Sequence, residues 1–205
     1  MTITDPALKY REQHKQRLSY MPWLYWTLKP KQREWAKAWQ QEWQAYLQDM
    51  ETVKITGDCF ISPDAKLFAE RGRPITIDSG SFIGADAVLH GPIKIGKNVG
   101  INHHVTMDGG SQGISIGNNC RIAAYCHFYA FNHSMAADRT IDQQPVTSKG
   151  IALEEDVWLG AHVGIVDGVT VHTGAVVGMQ SVVTKNVEGN TVVAGNPARY
   201  IKSRG

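Results

Sequence analysis

The chain has 205 residues, 42% of them apolar, with 21 Lys and Arg against 19 Asp and Glu. That length holds one domain and a modest extension around a real core, and a net charge of +2 without a Lys/Arg cluster excludes a phosphate-tracking nucleic-acid groove. Three cysteines, an odd number without short metal-ligand spacing, exclude a disulfide framework and point to a reducing compartment.

Residues 1–6 lack a basic stretch followed by an apolar core, so no secretory leader is expected. The apolar run 20–28 is broken by Pro22 and is too short to span a bilayer, which gives a cytoplasmic protein as the expectation. Residues 6–19 read as a short helix, and Pro30 suits the start of a second. There Trp35, Trp39, Trp43, Leu47 and Met50 recur at spacings of three and four, one apolar face of a helix. The stripe is expected to pack on the rest of the chain, either shaping the site or capping an open end. Its polar face mixes both signs of charge, so membrane association is not expected.

A change of composition follows: the 20 glycines fall after residue 56, and Val and Ile become frequent there. Aliphatic residues now stand at every sixth position, in four frames: Ile55, Ile61, Leu67; then Ile77, Ile83, Leu89, Ile95, Ile101, Met107; then Ile116, Ile122, Phe128; then Leu153, Leu159, Ile165, Val171, Val177, Val183. Four places after the aliphatic there is usually a small or β-branched residue, and Cys59, Cys120 and Cys126 all fall on that position. A helix needs a period near 3.6 and a half-buried strand a period of 2, so six fits neither. It fits short strands joined by tight corners, each hexad supplying one aliphatic and one small residue to the interior. The cysteines therefore read as buried small hydrophobes, not as ligands or nucleophiles.

Grouped in threes, the hexads make six coils starting at residues 55, 77, 95, 116, 153 and 171. The frame breaks after 72, 112 and 133 then all fall at the end of a third hexad, so a triangular coil sends every insertion out of one corner. Six coils stacked at about 4.8 Å give a prism about 29 Å long. The expected organisation is an N-terminal helical extension over 1–52, a parallel β-helix over 53–189 with a loop at 134–152, and a C-terminal segment over 190–205.

These repeats, with Asp156-Val157-Trp158-Leu159-Gly160-Ala161, Asp167-Gly168-Val169-Thr170, Ser181-Val182-Val183-Thr184-Lys185 and Ala194-Gly195-Asn196-Pro197-Ala198-Arg199, resemble the hexapeptide-repeat acyltransferases. The likeness runs from residue 55 to about 200 and is greatest to the maltose, galactoside and xenobiotic O-acetyltransferase branch. It implies an all-β fold, a left-handed parallel β-helix; the period alone does not fix the hand. It also implies acetyl-CoA as cosubstrate, no metal, and a homotrimer with cofactor sites between subunits.

Acetyl transfer to a hydroxyl needs a base that works near neutrality, and imidazole suits it. His133 stands at the root of the 19-residue insertion 134–152, and loops of that length are usually functional. The resemblance makes it the general base of a direct transfer without an acyl-enzyme. It makes Asn102 and Asp108 acceptor contacts. Gly160, Ala161, Met179 and Ser181 are implied to line the pantetheine channel, with Trp158 at its catalytic end and Thr184, Lys185 and Arg199 toward the nucleotide. Met179 and Gln180 depart from the family's Gly-Ala-Gly-Ser pattern and narrow that channel.

Two rivals come from other classes. A γ-class carbonic anhydrase needs three imidazoles converging on zinc, with His103 or His104 and His127 as the available residues; the histidine spacing does not match that family. A purely structural β-helix is the other. The acceptor, sugar hydroxyl or amino-sugar amine, is beyond the sequence.

Overall fold

In the computed structural model, which describes residues 5–205, the six-residue period becomes three flat faces of stacked parallel strands. The first face pairs Ile55, Ile77, Ile95, Ile116, Leu153 and Val171 in register. The second aligns Ile61, Ile83, Ile101, Ile122, Leu159 and Val177, and the third Leu67, Leu89, Met107, Phe128, Ile165 and Val183. This is the expected left-handed β-helix of six coils behind a helical N-terminal region. Each coil adds one layer to a single core, in which every periodic aliphatic is buried except Ile55, half-buried in the first coil.

Strands of two or three residues leave corners of about three, and the small inward residues fill them. Cys59, Cys120 and Cys126 are free and buried, and burial pushes each thiol up to about 11. At the corner between the second and third faces Asp86, His104, Tyr125, His162 and Gln180 all take left-handed φ values of 56–62°. The three insertions leave together from the corner between the third and first faces, preceding the strands Ile75–Ile77, Ile114–Ile116 and Ile151–Leu153.

Both ends of the prism are closed. Beyond the sixth coil Val187 bridges to Val171, Thr191–Ala194 extends the second face, and Arg199–Ser203 returns antiparallel along it. At the other end lie helix α1 (Pro6–Tyr20), a 3-10 turn (Pro22–Thr27) and helix α2 (Pro30–Met50). Asp5 caps α1 by accepting from the Ala7 N–H at 2.8 Å, and prolines open both helices.

Helix α2 replaces the missing coil with glutamines four residues apart. Gln40 accepts from the Ile61 N–H (2.7 Å) and donates to its carbonyl (3.1 Å); Gln44 donates to Cys59 O (2.8 Å); Gln48 accepts from Ile55 N–H (3.1 Å). Strand groups that would otherwise be an open edge are satisfied by side chains. Trp35 and Trp39 pack with Tyr25, Phe60 and Phe82, while Trp43 and Leu47 reach the main core. The sequence placed Met50 on this stripe, but it is 61% exposed. It ends the helix, past the edge of the first coil, where there is nothing to cover it. No helix among the described residues is long and apolar enough to cross a membrane.

Candidate active site

The long insertion is a braced structure. Asn132–His133 pairs antiparallel with Val146–Thr147, His133 opposite Val146. At its root Asp167 accepts from the Lys149 and Gly150 N–H groups (2.8 and 2.9 Å) and from Asn132 Nδ2 (3.2 Å). Ser148 Oγ donates to Ala130 O and accepts from Ser111 and Gln112 N–H, tying this loop to the insertion one coil below. At the tip the buried Gln144 amide donates to the carbonyls of Ala136 and Arg139 and accepts from Ala136 N–H. The hairpin therefore holds His133 in place while leaving its side chain exposed, its ring centroid 6.1 Å from that of Phe131.

Phe131, Val146 and Ser148 form one wall of a 520 Å³ cleft, and Arg73 and Asp108 form another. Asp108 lies in a network of charges: Oδ1 accepts from Arg73 Nη2 (3.2 Å) and Gly110 N–H (3.0 Å), while Oδ2 lies 3.2 Å from His90 Nδ1. His90 Nε2 in turn lies 3.0 Å from Glu70. The bond to Glu70, with a smaller one to Asp108, raises the His90 pKa above its ordinary value against partial burial; the same bond lowers that of Glu70. Arg73, His90 and Glu70 were not singled out in the sequence, because they come from an insertion and a strand separated by a whole coil. Asp167 and Gln144 were also missed as supports of the loop; the motif around Asp167 carried no hint of a partner 17 residues upstream.

The other candidates lie elsewhere. Asn102, Gly160, Ala161 and Met179 share the corner between the second and third faces. Asn102 donates from Nδ2 to Ile122 O at 2.9 Å. At Gly160 a Cβ would stand 2.6 Å from the Met179 nitrogen, so the glycine is what lets the two coils stack there. Met179 is 62% and Trp158 55% exposed, the latter on the second face. Ser181 does not reach a channel: it is fully buried, donating to Gly178 O (2.7 Å) and accepting from Gly195 N–H (3.0 Å). Its hydroxyl anchors the C-terminal segment instead. Thr184 and Lys185 are exposed at the His133 corner of the last coil, and Arg199 lies on the final strand. Within one chain, then, His133 and Asp108 stand at one edge of the third face and Asn102 with Gly160, Ala161 and Met179 at the other.

Three further histidines, His103, His104 and His162, form an aromatic column with Tyr125. Tyr125 lies 4.7 Å from His104 and 4.8 Å from His162 between ring centroids, the latter pair stacked with nearly parallel planes, 3° apart. Burial and the neighbouring His104 lower the His103 pKa. His127 belongs to the third face, on the strand His127–Tyr129, rather than to a corner. No group of three His, Cys, Asp or Glu able to hold a metal occurs among the described residues.

Residues 74–102 and 150–185 match the family described as hexapeptide repeat of succinyl-transferase. The chain is 29% identical over 153 residues to the Escherichia coli K12 protein named for O-acetyl transfer in lipopolysaccharide biosynthesis (WbbJ), covering 70% of this chain and 75% of that one. It is 28% identical over 183 residues, 88% and 86% of the two chains, to the E. coli K12 protein named for acetyl transfer in colanic acid biosynthesis (WcaF). The chain is thus similar to hexapeptide-repeat acyltransferases, in the matched repeats and in these acetyltransferase relatives. Among solved structures, AntD of Bacillus cereus, an N-acyltransferase in complex with dTDP and 3-hydroxybutyryl-CoA, superposes with a TM-score of 0.70 at 25% identity, over 79% of this chain and 88% of that one. This chain is an enzyme that takes its acyl group from coenzyme A.

Proposed function

We propose that this acyltransferase moves the acetyl group of acetyl-CoA to a hydroxyl of a sugar or saccharide, with His133 as general base. The observation that carries the reading is His133 itself: an exposed imidazole on a hairpin fixed at its root by Asp167 of the next coil and at its tip and flank by the loop's own Gln144 and Ser148. A base held in place loses little in reorganisation as the proton moves. His133 takes the hydroxyl proton while the oxygen attacks the thioester carbonyl. The C–S bond then breaks, and the imidazolium returns the proton to the departing thiolate. The buried cysteines, with thiols pushed to about 11, are no use as nucleophiles, which favours direct transfer.

In this reading the small residues Gly160 and Ala161 and the exposed Met179 and Trp158 border the pantetheine arm, and Thr184, Lys185 and Arg199 serve the nucleotide phosphates. Asn102 contacts the acceptor. Asp108, with both oxygens occupied, shapes the cleft through Arg73 and His90. Because His133 and Asn102 lie at opposite edges of one face, a complete centre requires the edge of a neighbouring protomer, as in a homotrimer. WbbJ and WcaF are named for lipopolysaccharide and colanic acid biosynthesis, which favours a saccharide. The likeness to AntD, an N-acyltransferase, supports a second reading in which an amino sugar is the acceptor.

The experiment is a screen of saccharides and amino sugars with acetyl-CoA, following free thiol, for the wild type and His133→Ala. Thiol release that depends on an acceptor and on His133 supports the proposal; a fully active His133→Ala overturns the base.

A further inference from the structure

An open cavity of 890 Å³ is in a region the repeat does not explain, where the 3-10 turn Pro22–Thr27 crosses the second face. Trp23 and Trp26 form one side of it, Phe82 the floor, and Asn98, Asn102 and Arg121 the polar edge. The floor exists because residue 100 is glycine: a Cβ there would stand 2.6 Å from Phe82 Cζ, so the ring lies across the next coil. Trp26 packs against Phe82 with ring centroids 6.1 Å apart. The turn is set by Tyr25 between them, which is fully buried and donates to Asp58 at 3.0 Å, while Arg33 pairs with the same carboxylate at 3.0 Å. Trp23, by contrast, is 48% exposed. A large aromatic side chain is thus presented on a rigid mount.

The polar edge has bonding capacity to spare. Asn102 uses one amide hydrogen on Ile122 O, and Arg121 bonds the Asn98 backbone and side chain and Cys120 O through its two terminal nitrogens. A primary amide has two donors and an acceptor, and a guanidinium five donors, so free groups remain at the rim. Ring faces carry negative charge and favour the weakly positive C–H face of a ligand, while the edge offers groups suited to hydroxyls. A sugar ring has both features; a hydrocarbon tail would leave the polar edge unpaired.

We propose that Trp23 and Trp26 form a saccharide-ring subsite, so that the N-terminal extension selects the acceptor. The inference rests on the acetyl-transfer reading above. It is tested by steady-state kinetics of Trp23→Ala, Trp26→Ala and Trp23→Phe with saccharide acceptors, and by fluorescence titration of the same proteins with methyl glycosides in the absence of acetyl-CoA. Each alanine variant is expected to raise the acceptor KM at least tenfold while the KM for acetyl-CoA stays within twofold, and Trp23→Phe to recover most of the loss. An unchanged acceptor KM in both alanine variants, or a rise in the acetyl-CoA KM instead, overturns the subsite and leaves acetyl transfer standing. If the wild type acetylates no acceptor, the acetyl-transfer reading fails, and the titration alone decides. A glycoside-dependent signal lost in Trp23→Ala keeps the subsite, and a wild type without such a signal rejects it.

Discussion

The side-chain amide of Gln40 binds both the N–H and the carbonyl of Ile61, at 2.7 and 3.1 Å, as a strand of a further coil would. Gln40 is 1% exposed, so water cannot replace it. Gln40→Leu leaves a buried donor and a buried acceptor unpaired and is expected to cost roughly 2–5 kcal/mol. Chemical denaturation reads this directly. A midpoint equal to wild type would show that the first coil does not depend on the helix for its edge.

His133→Ala removes an exposed side chain that the hairpin's backbone pairing does not use. Circular dichroism and thermal midpoint are expected to match wild type, while acceptor-dependent turnover falls about 10²- to 10⁴-fold, the range for a lost general base.

The Glu70–His90–Asp108 network gives a pH signature. The His90 pKa is raised, chiefly by Glu70, so the stability it contributes is complete below about 6.5 and is lost as pH rises through its folded value. Glu70, lowered by the same bond, contributes above its ordinary carboxylate range and loses that as pH falls through its own folded value. The network is strongest between those limits. In an NMR titration, Glu70→Gln is expected to move the His90 midpoint down toward its ordinary value; no movement would mean the contact does not form in solution.

Cys59, Cys120 and Cys126 are buried, and burial pushes their thiols to about 11. The native protein is expected to give no rapid reaction with a thiol reagent, and three thiols per chain in denaturant. A fast-reacting thiol in the native state would place a cysteine outside the core and would also interfere with the thiol-release assay.

The six-residue period determined the coil count, the cross-coil register and the corner from which every insertion leaves. Each hexad repeats one local choice of inward aliphatic and inward small residue, and stacking makes the register of neighbours identical. Met50 shows where that legibility ends: a helical stripe says which side is apolar but not where the surface beneath it stops. The sequence also singled out His133 and the C-terminal motifs, because these lie close together in the chain.

Only the tertiary structure decided what those residues touch. Ser181 is buried between Gly178 of its own coil and the C-terminal Gly195, and Asp108 is bound on both oxygens by Arg73 and His90 of earlier coils. The Asp167 and Ser148 braces at the root of the His133 hairpin and the groove under Trp23 are contacts across coils, and no local pattern encodes them. A repeat fixes contacts between equivalent positions; the site is made of contacts between residues that are not equivalent.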